Sequence, residues 1–178
     1  MTTFKLSPSS LGLMNKCQRC FWLTQHKVWK RPSDGFPQLP NGMDRVLKQH
    51  FDKFMKKGLL PPELKDNGDT QGMLLFDNEV LLNEWRNALK GLWYEDDEGN
   101  ILHGGIDNLL VKGKKFIVLD YKTKGSPAKE EDHKYSQHQL DIYNLLLRKL
   151  GHETEDYGFL LFYSPSGVLE TGEVVFHT

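Results

Sequence analysis

Acidic side chains are missing from one end of this chain. Residues 1–33 contain no Asp or Glu, yet they carry Lys5, Lys16, Arg19, Lys27, Lys30 and Arg31. Phe4, Phe21, Trp22 and Trp29 lie in the same stretch. Two readings stand: a surface that grips phosphates while stacking on bases, or a basic amphipathic helix whose aromatics are core. Cysteine is almost as scarce. Cys17 and Cys20 are the only two, three positions apart in a stretch that reads as helical. That rules out a disulfide-stapled fold and suits a reducing compartment. No apolar run approaches the roughly 18 residues needed to cross a bilayer, and MTTFKLSPSS lacks the apolar block of a signal peptide. The expected setting is therefore soluble and cytoplasmic, with no membrane partner. Internal repeats and low-complexity tracts are absent as well.

What is present is enough for one core. A chain of 178 residues with 38% hydrophobic content is expected to form a single domain over 1–178, and its net charge of -1 carries no overall signal for a polyanion. Residues 1–93 read as mainly helical. Ser7-Pro8-Ser9-Ser10 is a helix start, and the helix is expected to run to about His26. A Pro/Gly-rich loop over 31–40 precedes a second helix capped by Asn41. Met43, Val46, Leu47, Phe51, Phe54 and Met55 recur in it at helical spacing and Gly58 ends it. His50 lies seven positions after Met43, on the same inward face. Residues 59–79 read as irregular or weakly extended, and Val80 to Trp93 as a third helix.

Beyond a turn at 95–100 the pattern changes to strands. Ile101–Val111 and Lys115–Lys122 form a hairpin, a long helix follows from about Glu131 to Leu150, and Tyr157–Tyr163 and Val168–Phe176 flank a turn at 164–167. Residues 101–178 are thus hairpin, helix and final strands. An α/β layered domain with a mixed sheet covered by helices follows from this order.

The hairpin holds two carboxylates. If Gly113 and Lys114 are the centre of a type II′ turn, facing residues have numbers that add to 227, which opposes Asp107 to Asp120. Like charges that close are unfavourable unless something positive lies with them. Lys122 points to the same face as Asp120, and its expected cross-strand partner is Gly105, which leaves space beside it. Either Lys122 makes a salt bridge at a sheet rim, or the carboxylates hold a hard divalent cation such as Mg²⁺ or Mn²⁺ and Lys122 acts on a water beside it. His50 is open in the same way, as a hydrogen-bonded core histidine or a nitrogen ligand. Gln139 and Tyr143, four apart on one stripe of the long helix, either bond at the sheet edge or face the same cleft as the carboxylates.

Five pieces in order, LSPSSLGLMNKCQRCFWL at 6–23, VLKQHFDKF, GGID ending at Asp107, DYK at 120–122 and QLDIY at 139–143, resemble the PD-(D/E)XK nuclease superfamily. Within it they are similar to the RecB-like branch that includes CRISPR-associated RecB-like exonucleases. The resemblance implies a restriction-endonuclease-like core: a mixed β-sheet flanked by helices, with an N-terminal helical region. It makes His50, Asp107, Asp120 and the Tyr121 carbonyl metal ligands and Lys122 the catalytic lysine. It makes Gln139 and Tyr143 residues that shape the site and contact DNA, with Arg19, and Lys16 and Trp22 beside it, on the substrate. The implied reaction is Mg²⁺- or Mn²⁺-dependent hydrolysis of DNA, on single strands or ends, in recombination, repair, phage replication or CRISPR adaptation. The implied partners are DNA, a second copy, or a helicase or recombination protein.

Many relatives hold an iron–sulfur cluster on four cysteines, which two cannot complete, so no cluster is expected and Cys17 is read as a buried packing residue. Ile106 stands where the family motif has proline. Two other function classes compete, a catalytically silent DNA-binding subunit with the same fold and an unrelated hydrolase of small phosphate esters.

Overall fold

The computed structural model describes residues 3–29, 32 and 38–178. β1 (Lys5–Leu6) leads into α1 (Pro8–Lys16), and Ser7 closes a capping box with Ser10, whose hydroxyl accepts from the Ser7 N–H at 2.7 Å. The single helix expected to reach His26 is two. At Cys17 the backbone turns extended, and α2 (Gln18–Gln25) restarts with the Cys17 sulfur accepting from the Cys20 N–H at 3.2 Å. Cys17 is half-buried, so it caps a helix rather than filling the core.

α3 (Gln38–Met55) begins ahead of the expected cap, so Asn41 lies inside it. The expected loop before it falls mostly outside the described residues. Leu47, Phe51 and Met55 form its buried stripe. The irregular stretch that follows contains α4 (Pro62–Lys65) and β2 (Leu74–Leu75).

α5 (Glu79–Trp85) is half the length its apolar periodicity predicts. Asn87 stops it: its side-chain oxygen accepts from the Leu89 and Lys90 N–H groups at 2.9 and 3.0 Å, which offers the backbone a turn in place of helix. Leu92 and Trp93 consequently sit in β3 (Leu92–Glu95), which turns through Asp96–Asn100 into β4 (Ile101–Gly104).

The strand expected over 101–111 is broken at Gly105, and its two parts serve different sheets. β4 pairs with β1 and β3 in a three-stranded sheet, while β5 (Asn108–Lys112) joins β6 (Lys115–Thr123) in a five-stranded sheet of order β2-β5-β6-β7-β8. The hairpin register is the predicted one, from Lys112 opposite Lys115 to Asn108 opposite Leu119. Gly113 has φ 62 and Lys114 does not share a positive φ, as a type II′ turn requires. The ladder ends at Asn108, however. Beyond Leu119, β6 pairs only with the parallel β7 (Phe159–Val168), and Lys122 lies opposite Phe162, not Gly105. After a 3₁₀ stretch (Glu130–Tyr135), α6 (Gln137–Lys149) provides the crossover from β6 to β7. β7 runs on through a bulge at Pro165 and Gly167, so the final turn comes at 169–173 before β8 (Val174–His177), not at 164–167.

Alternation along β6 decides what each helix touches. Tyr121 stacks on Phe51 of α3, with ring centroids 4.6 Å apart, while Asp120 and Lys122 meet Gln139 of α6. α6 also packs against β3 and β4, so it ties the two sheets together. The core between these layers is built from fully buried side chains such as Phe51, Ile106, Leu109, Ile117, Leu119, Leu146 and Leu147.

The break at Gly105 needs a residue with no side chain. A β-carbon there would meet the Arg86 carbonyl oxygen at 2.8 Å and the Ala88 nitrogen at 2.9 Å, both backbone atoms. Gly105→Ala is expected to lower stability by about 1–3 kcal/mol. Gly42→Ala, inside α3 with nothing within 4 Å of the added carbon, should raise it by about 0.5–1 kcal/mol. Urea denaturation read as midpoint at constant slope checks both signs.

Candidate active site

Asp120 ends the apolar run of β6 at 2% exposure. One of its oxygens, Oδ1, accepts from Gln139 Nε2 at 3.2 Å. The other, Oδ2, lies 2.5 Å from the Lys122 ammonium, which pairs with it. Gln139 binds the group together. Its Oε1 accepts from Lys122 Nζ at 3.0 Å and its Nε2 donates to the Tyr143 hydroxyl at 2.9 Å. Because a lysine ammonium only donates, this network sets which way the amide faces. The expected convergence of Asp120, Lys122, Gln139 and Tyr143 is what the structure contains.

Asp107 arrives from the other direction. It lies one residue before β5, where that strand leaves β6, and its Oδ2 accepts from the Tyr121 N–H at 3.1 Å. The side chain thus takes over a strand hydrogen bond that the departing backbone no longer supplies. Burial and the charge of Asp107 raise the Asp120 carboxyl to a pKa of about 6, with Lys122 acting in the opposite sense. Burial also pushes the Tyr143 hydroxyl well up, keeping it protonated.

Four residues of this neighbourhood were not foreseen. Lys48 of α3 places its ammonium 3.1 Å from Asp107 Oδ1 and 2.8 Å from Asp44 Oδ2. Burial disfavours its charge, but Asp107 and Asp44 more than reverse that and raise its pKa. Arg86 donates through Nε to the Asp107 carbonyl at 2.9 Å, and Asp52 clamps its guanidinium at 2.8 and 2.9 Å. The signal for Lys48 was readable: Asp44 and Lys48 are four apart on a helix whose apolar stripe was recognised. Arg86 could not be found, because its partner is a backbone oxygen.

His50 is not brought to the two aspartates by any contact. Its Nε2 is 3.0 Å from Glu63 Oε1, which also accepts from the Tyr163 hydroxyl at 2.6 Å. The reason is helical phase: His50 lies about 200° around α3 from Lys48, which holds the side facing Asp107. Among the described residues no group of three or more His, Cys, Asp and Glu side chains gathers in a way that could hold a metal. The pair Asp107 and Asp120 still suits a hard cation, since a nearly fully buried carboxylate stands close enough to a second one for their charges to repel.

The chain matches the family model of the PD-(D/E)XK nuclease superfamily over residues 5–172. It belongs to that superfamily. A search of curated proteins returns no match. The two-sheet mixed α/β fold with flanking helices is the restriction-endonuclease-like architecture of the superfamily, and its members are generally nucleases that typically use divalent metals such as Mg²⁺. No described helix is long and apolar enough to cross a membrane. Lys16, Arg19 and Trp22 lie on the α1–α2 unit; all three are exposed, and the Trp22 ring lies against His26 with centroids 4.4 Å apart.

The raised carboxyl has a stability consequence in metal-free protein. A carboxyl whose folded pKa lies above its unfolded value of 3.8 contributes stability below pH 3.8 and loses it as pH rises through about 6. Asp120→Asn, neutral at every pH, is therefore expected to be more stable than wild type at pH 8 in EDTA by about 1–3 kcal/mol. The gain should shrink to near nothing by pH 4. Chemical denaturation across that range checks it.

Proposed function

We propose that this chain is a Mg²⁺- or Mn²⁺-dependent deoxyribonuclease of the RecB-like branch that acts as an exonuclease on single strands or DNA ends. Asp120 and Lys122, joined through Gln139 at one end of β6, and Asp107, held beside them on the Tyr121 N–H, carry this reading. Asp107, Asp120 and the Tyr121 carbonyl would hold the metal, leaving His50 outside the set. When bound there, it would supply Lewis-acid polarisation of a scissile phosphate and charge for the leaving oxygen.

The chain's own residues do the rest. Lys122 has three N–H protons: one goes to Gln139, one faces Asp120, and the third remains for a water or a phosphate oxygen. Lys122 thereby orients the attacking water. Oxygen from water bonds to phosphorus, the bond to the 3′ oxygen breaks, and one water proton ends on that oxygen, leaving a 5′-phosphate and a 3′-hydroxyl. Gln139 fixes the lysine's direction, and Tyr143 fixes Gln139.

Strand preference rests on the acid-free segment. Trp22 and Trp29 are 54% and 45% exposed, and indole faces stack on any unpaired base. No ion pair occupies Lys16 or Arg19 among the described residues, which leaves them for phosphates. Recombination, repair, phage replication and CRISPR adaptation all present such ends, and a helicase, a recombination protein or a second copy would be the fitting partner. A cytoplasmic setting suits the substrate.

End-labelled single- and double-stranded DNA incubated with Mg²⁺, Mn²⁺ or EDTA tests the proposal. Cleavage is expected only with metal, faster on single strands. Asp120→Ala and Lys122→Ala should lose at least about 10²-fold, and Gln139→Ala about 10–100-fold. Binding without cleavage in either metal would instead identify a silent DNA-binding subunit. In the same assay format, Trp22→Ala is expected to weaken single-strand binding about tenfold, toward the lower end of the roughly 1–3 kcal/mol a stacked base is worth, with a smaller effect on duplex.

A further inference from the structure

The nuclease reading leaves one partly buried cation without a task. Lys48 is 22% exposed and bridges two carboxylates of different character. Asp107, 18% exposed, faces Asp120 in the site. Asp44, 42% exposed, lies one helical turn earlier on α3 and lines a cleft of about 330 Å³ together with Tyr121 and Lys122. Around the centre, the ammonium groups of Lys48 and Lys122 thus answer the carboxylates of Asp44, Asp107 and Asp120.

We propose that Lys48 is a resident counter-ion that holds Asp107 while the site lacks a divalent cation, and yields it by moving over to Asp44 when one binds. The proposal rests on the metal-dependent nuclease reading. A cation taken by Asp107 sits roughly 2.1 Å from a carboxylate oxygen, and the Lys48 ammonium is already 3.1 Å from that carboxylate. Two positive charges that close in a half-buried site repel strongly, so one must give way. The lysine can: its aliphatic stem pivots, and half of its pairing is already to Asp44 on the same helix. The backbone need not move, because Phe51 against Tyr121 pins α3 to β6 and Arg86 pins the Asp107 carbonyl.

Metal affinity is then set by a competition inside the protein, with opposite consequences for two neighbours. Removing the competitor tightens metal binding, whereas removing the lysine's destination weakens it. A lysine that serves only to brace α3 would give no such opposition.

Calorimetric titration of Mn²⁺ into the full chain, without DNA, reads this directly. Lys48→Met, which keeps the stem, is expected to bind Mn²⁺ about tenfold more tightly than wild type. Asp44→Asn, at a half-exposed position of α3, is expected to bind it several-fold more weakly. Circular dichroism confirms that each variant is folded, and Asp44→Asn carries the test if Lys48→Met is not. Equal affinity in all three proteins, or weaker binding in Lys48→Met, overturns the counter-ion role. Absence of divalent binding by wild type is a separate result, which overturns the metal-dependent reading itself.

Discussion

Everything around the candidate active site answers one electrostatic problem, two carboxylates brought together at the buried end of an apolar strand. Asp120 alone, at 2% exposure, would be costly to ionise. With Asp107 beside it the cost rises, as its elevated pKa records. Lys122, Gln139, Lys48 and the Tyr121 N–H each satisfy some part of this arrangement.

The backbone creates that site by dividing a strand. Gly104 and Gly105 carry the chain from the three-stranded sheet to the five-stranded one, and Asp107 sits where β5 begins to pair. Because β5 leaves β6 at this point, the last residues of β6 have a neighbour only on the β7 side. The vacated edge is where the Asp107 side chain reaches the Tyr121 N–H. Close packing keeps the division tight, since a β-carbon on Gly104 would come within 2.8 Å of the Tyr143 ring. Fold and site are coupled through that ring, whose hydroxyl accepts from Gln139.

Much of this was legible before any coordinates. Period-2 alternation and the Gly113-Lys114 turn set a register that the hairpin obeys from Lys112 back to Asn108, where the ladder ends, because register near the turn follows from turn geometry. Spacing on the long helix placed Gln139 and Tyr143 together for the same kind of reason. Where the reading erred, a local apolar pattern was outvoted. Leu89, Leu92 and Trp93 continue a helical period, but Asn87 breaks it and leaves Leu89 exposed. Ser164-Pro165-Ser166-Gly167 looks like a turn, but a bulge absorbs it into β7.

The sequence by itself determined the elements that depend on near neighbours along the chain: the Ser7 cap, the hairpin register, the face shared by Asp120 and Lys122, and the family motif. Tertiary structure decided which helical residues reach that face. His50 and Lys48 lie on one helix two residues apart, and no periodicity distinguishes which of them meets Asp107. The choice falls to the rotation of α3 that best packs Leu47, Phe51 and Met55 against β6, which turns Lys48 toward the carboxylates and His50 toward Glu63 and Tyr163. Helix orientation is set by the sum of many apolar contacts between distant segments, and that sum is not written at any single position.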